Sequence, residues 1–125
     1  MPICPQCGGQ HPGLSPGDVL PPDAKVRRAI IPGKEGPPLS KSNFKTDDMS
    51  VDLVARPPAD TLATVGAAKY VEFEAREATS IFKKYRNSVV FRCIPGNPYH
   101  CPVEGTKTDG EARLFAALMN GRVKP

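Results

Sequence analysis

Nine of the 15 prolines and six of the 11 glycines fall within residues 1 to 38. Proline has no backbone donor and glycine loses the most freedom on ordering, so a chain that starts this way cannot open with a long helix or a central strand. The segment predicts an extended, turn-rich arm. One stretch escapes it: VRRAII, residues 26 to 31, has enough β-branched character for a strand, and Pro32-Gly33 ends it. The chain therefore divides into a Pro/Gly-rich arm with a C-x2-C knuckle at 1–25 and a single domain at 26–125, an ordinary size for one core at 125 residues.

Within the domain the pattern alternates between the two regular structures. SVDLVA (50–55) reads as a strand, and PPADTLATVG (57–66) as a short helix with proline in its first turn and Gly66 at its end. YVEFEA alternates at period two, whereas Val71, Ala75, Ala78, Phe82 and Tyr85 also fit one helical stripe; a strand at 70–74 followed by a helix at 76–85 satisfies both. SVVFRCI (88–94) is the clearest strand, with Val89, Phe91 and Cys93 on one face. Pro95 to Pro98 supplies a turn, and YHCPVEG returns antiparallel, with Pro102 marking that strand as an edge or as broken. Thr108 with Glu111 forms a capping box for a last helix, whose apolar stripe is Leu114, Phe115, Leu118 and Met119. Together these predict an α+β fold, a small, mostly antiparallel sheet with helices on one side.

Four cysteines raise the question of metal. CPQC at Cys4 and Cys7, with Gly8-Gly9 behind it, is the half-site of a zinc knuckle, since a tight turn lets both thiolates face one ion. Completing a tetrahedral Zn2+ site requires ligands from His11, Cys93, His100 or Cys101, and such a clip would pin the arm onto the 93–101 hairpin. The alternatives are a redox pair, which belongs at a helix start rather than among prolines, a structural disulfide, and, for Cys93, a small buried hydrophobe.

His100, at the end of the turn, is a candidate acid or base, with Asp52 or Ser50 across the sheet and Arg28 on a neighbouring strand to anchor an anion. Its plain alternative is a histidine bonded to turn backbone. No Gly-rich phosphate loop, nucleophile elbow, H-E-x-x-H motif or paired-carboxylate signature is present. The net charge of +4 is mild but uneven: residues 25 to 45 hold Lys25, Arg27, Arg28, Lys34, Lys41 and Lys45 against Glu35, and an acidic stretch follows. That basic run suits either a solvated face or contact with nucleic acid, and with no Trp, five Phe and three Tyr there is no evident base-stacking platform. No apolar run is long enough to span a membrane, and the N-terminus lacks the pattern of a secretory signal, so a cytoplasmic location is expected.

The order of RRAII, SKSNFKTDDMSVDL, GNPYHCPVEG and TKTDGEAR resembles that of short bacterial proteins to which no activity is attached. The matching residues are Arg28; Ser40, Phe44 and Lys45; Ser50 to Asp52; Asn97, Pro98 and His100; and Lys107-Thr108. The resemblance spans about residues 26 to 113 and implies no chemistry of its own. Three functions follow from the residues: a zinc-stabilised binding or accessory protein whose arm contacts a protein partner; an enzyme using His100, Asp52 and Arg28; and a nucleic-acid module using the basic stretch.

Overall fold

A computed structural model describes residues 14–125. Five strands form one wholly antiparallel sheet: β1 (Lys25–Ala29), β2 (Asp48–Leu53), β3 (Tyr70–Glu74), β4 (Ser88–Val89) and β5 (His100–Glu104), in the order β3-β1-β2-β5-β4. Three helices accompany it: α1 (Pro58–Val65), α2 (Ala75–Ile81) and α3 (Asp109–Met119). The expected α+β class is therefore the observed one, and no helix among the described residues is long and apolar enough to cross a membrane.

Local chemistry sets the element ends. Pro58 occupies the first turn of α1, where its missing N–H costs nothing, and Gly66 ends the helix in the left-handed conformation at φ 66°. At α3 the Thr108 hydroxyl accepts from the Glu111 amide at 3.1 Å, and the Glu111 carboxylate accepts from the Thr108 amide at 3.0 Å, the reciprocal cap expected there. The change from period two to helical period falls at Glu74, the last residue of β3 and the N-cap of α2.

Register sorts the sheet into two faces. Val26, Met49, Val51, Val71, Phe73, Cys101 and Val103 are buried on one, where α2 and α3 close the core. Its centre is Phe115, with the rings of Phe44, Phe73 and Phe82 at 5.0 to 5.1 Å from it. The other face carries Arg27, Asp52, Glu72 and His100 in cross-strand register, and α1 reaches it through Thr61.

Several details depart from expectation, α2 ending at Ile81 rather than at residue 85 among them. Pro102 lies in β5, an interior strand, because its nitrogen and its carbonyl face the β4 side: Val90 donates to Pro102 O at 3.1 Å, and no amide is there to return the bond. That missing rung helps to limit regular β4 to Ser88–Val89, shorter than the 88–94 strand expected; beyond it Gly17 and Leu20 donate to Phe91 O and Val89 O, and Phe91 donates to Asp18 O. Residues 17–20 thus lie along this edge. In α3 the buried stripe is Ala112, Phe115, Ala116 and Met119, while Leu114 and Leu118 are 59% and 37% exposed. Positions i, i+4 and i+7 from Ala112 face the core, and the two small alanines let the helix approach it.

Candidate functional site

Two faults in the hydrogen-bond ladder open a cleft on the polar face. The first lies between β1 and β2, whose pairing stops at Arg27 opposite Asp52. Beyond that point Arg28, which by register leaves β1 on the core face opposite Val71, turns its side chain into the gap between the strands: Nη1 donates to Ser50 O at 2.9 Å, while Nε and Nη2 both donate to Asn43 O at 3.1 and 3.0 Å. The second lies between β5 and the segment after β4. Arg92 N donates to His100 O at 3.0 Å, but Arg92 O takes its bond from the His100 ring, Nδ1, at 3.0 Å. The His100 amide is instead directed to Asn97 O, at a long 3.5 Å.

Between these faults lies a cleft of about 600 Å³. Arg28, Ser50, Asp52, Asn97 and His100 line it, with α1 on one side and the turn after Ile94 on the other. Ser50 joins the two active-looking groups: its carbonyl accepts from Arg28, and its hydroxyl lies 3.3 Å from His100 Nε2. Because Nδ1 faces a carbonyl it must carry a proton, so in the neutral ring Nε2 is the acceptor and Ser50 Oγ–H the donor. This gives a hydroxyl, a base and a backbone carbonyl that orients the base.

Asp52 does different work. Its Oδ2 accepts from Arg56 Nη1 at 2.9 Å and Thr61 Oγ1 at 2.8 Å, and its Oδ1 accepts from Asn97 Nδ2 at 2.8 Å. One carboxylate therefore ties α1 and the turn to the sheet, and no hydrogen bond joins it to His100 among the described residues. Asp52 positions the walls of the cleft. Asn97 in turn holds the turn through its own Oδ1, which accepts from Tyr99 N at 3.0 Å.

The charges of the cleft do not cancel. Arg27 pairs with Glu72 at 2.7 Å and lies over Tyr70, and Arg56 pairs with Asp52. Arg28 has no carboxylate within ion-pair distance among the described residues. Desolvation lowers its pKa to about 10, which leaves it charged at neutral pH. Of its five N–H groups three are used on carbonyls, so two remain.

Neither Cys93 nor Cys101 lines this cleft. Cys101 is a free thiol on the core face of β5, wholly buried, and its pKa is pushed up to about 12 by desolvation and by the charge of Asp52. At neutral pH it is a thiol and an inert one. Cys93 is buried and disulfide-bonded. Cys4, Cys7 and His11 lie outside the described residues, and among the described residues no three His, Cys, Asp or Glu side chains group to hold a metal ion.

Thr61, Arg56 and Asn97 were not legible in the sequence as members of the site. The signal for Asn97 was its place in a Gly-Asn-Pro turn, which reads as backbone chemistry; nothing local marked Thr61, on a helix, as the partner of a strand aspartate. Compared with protein-family models, with curated proteins and with solved structures, the chain matches none.

Proposed function

We propose that this cleft is the active site of an enzyme that acts on an organic anion, with Arg28 binding the charge and His100 moving a proton. The observation that carries this reading is the unpaired Arg28 cation in the same cleft as the Ser50–His100 pair. A cation bonded only to neutral carbonyls retains most of the desolvation cost of its burial, and an anion on its two remaining N–H groups would offset that cost. His100 Nε2 is then the group in reach of a proton on the bound molecule or on Ser50.

This reading is preferred to the others on placement. The basic stretch does not act as one surface: Lys41 and Lys45 both pair with Asp109, and Arg27 with Glu72. The zinc-stabilised binding role needs Cys4 and Cys7, which with His11 lie outside the described residues, completed from His11, Cys93, His100 or Cys101; of these Cys93 is disulfide-bonded and Cys101 is a buried thiol.

Diethyl pyrocarbonate carbethoxylates accessible imidazole, and the chain holds two histidines, so His11 serves as an internal control. Saturating benzoate should protect His100 and leave His11 unaffected, and Arg28→Met should abolish the protection. Equal modification of His100 with and without benzoate would overturn the reading.

A further inference from the structure

Resting on the anion reading above, we propose that the anion bound here is a monocarboxylate with an apolar tail, its head on Arg28 and its tail between Val65 and Ile94. The cleft is divided along its length. Arg28, Ser50 and His100 supply the polar end, whereas Ile31 and Pro32 after β1, Val65 at the end of α1, and Ile94 and Pro95 on the turn supply apolar walls. Val65 is 54% exposed and Ile94 40%. Two large apolar side chains from separate elements thus stand at the same cleft instead of entering the core. A few convergent polar groups in a mainly apolar concavity is the ordinary form of a small-molecule site, and this volume lies within the usual range of such sites.

The charge favours a single negative charge. Among the described residues Arg28 is the lining cation without a carboxylate, since Arg56 is paired with Asp52 and Arg27 with Glu72, so one negative charge balances it and a dianion such as a phosphate monoester would bring a second charge with no unpaired cation to meet it. A carboxylate also matches the planar guanidinium geometrically. The tail adds affinity by burial, on the order of fourfold per methylene removed from water.

The test is a titration of the full chain, followed by amide chemical shifts, with acetate, hexanoate and octanoate below micellar concentration, and with octanol and inorganic phosphate as controls. Affinity should rise from acetate to octanoate by at least about tenfold, with shifts at residues 64–66 and 94–96 that acetate does not cause. Val65→Ser combined with Ile94→Ser, both exposed positions, should remove that gain and leave acetate binding as it was. If acetate moves the Arg28 and Ser50 signals but octanoate binds no tighter, the tail is wrong and the anion reading stands. If no carboxylate moves them, the anion reading itself fails and this inference falls with it. Octanol binding as tightly as octanoate, or phosphate binding more tightly, would overturn the monocarboxylate.

Discussion

Two cations lie inside this fold with backbone carbonyls as their hydrogen-bond partners, and they differ in one respect. Lys107 is sealed: it is 3% exposed, and its Nζ donates to Val103 O at 2.7 Å, Gly105 O at 2.9 Å and Asp47 O at 3.3 Å, with the Phe82 ring 5.4 Å away. All three of its protons are used. Arg28 also bonds only to carbonyls, but it opens on the cleft and keeps two N–H groups free of them. A saturated buried cation is a structural clamp, whereas an unsaturated one facing a concavity is a place for a ligand.

The largest change should come from Asp52, whose removal would create a second unpaired cation. Asp52→Ala leaves Arg56 without its carboxylate and unties Thr61 and Asn97, and should cost about 3–5 kcal/mol in urea unfolding. A loss of less than about 1 kcal/mol would show that the walls are held by other means.

On the sealed side, Gly105→Ala is the next largest. Gly105 has φ 134°, and a Cβ there would lie 2.6 Å from Asn87 Nδ2, itself bonded to Thr106 O. Strain and the displaced Lys107 acceptor should together cost about 3 kcal/mol, read from the denaturation midpoint.

Lys107→Met removes the clamp itself and should cost about 2 kcal/mol at neutral pH, three lost acceptor bonds being partly offset by the relief of burying a charge. It carries a pH signature as well. Burial lowers the Lys107 pKa from 10.5 to about 8, so between those values the unfolded chain binds more protons than the folded one. Stability from this group therefore rises with pH through that window. Cys101, raised from 9.0 to about 12, acts in the opposite direction, but it is common to both proteins. The wild type should thus gain on Lys107→Met as pH rises above about 8, and parallel pH profiles would contradict the buried, charged lysine.

Arg28→Met should have the smallest effect on stability, within about 1 kcal/mol, because Ser50 borders a cleft that water enters and removing a desolvated charge offsets the bonds lost at Asn43 O. A cost matching that of Lys107→Met would break the distinction between the two cations.

Much of the fold was legible in the residues. Alternation in YVEFEA located β3, VRRAII and SVDLVA overlapped β1 and β2, the turn at Pro95 to Pro98 led into β5, proline began and glycine ended α1, and the Thr108–Glu111 pair began α3. What misled was tertiary. Leu114 and Leu118 fit an apolar stripe, but small Ala112 and Ala116 face the core instead. Pro102 looked like an edge residue, and it is tolerated inside the sheet because its missing donor faces the short β4 rather than β2. The site was legible as residue types, Arg28, Ser50, Asp52 and His100, but not as a set. Their meeting depends on where pairing stops between β1 and β2 and on a ring nitrogen replacing a backbone amide, and neither leaves a local trace.

The account stands or falls on Arg28 as the unpaired cation of a ligand cleft, and a crystal structure of the full chain grown with octanoate tests it most directly. The expected result is the carboxylate on Arg28, within reach of His100 Nε2, and the alkyl chain between Val65 and Ile94. Octanoate bound elsewhere, or an empty cleft with water on Arg28 at a concentration that saturates binding in solution, would contradict it.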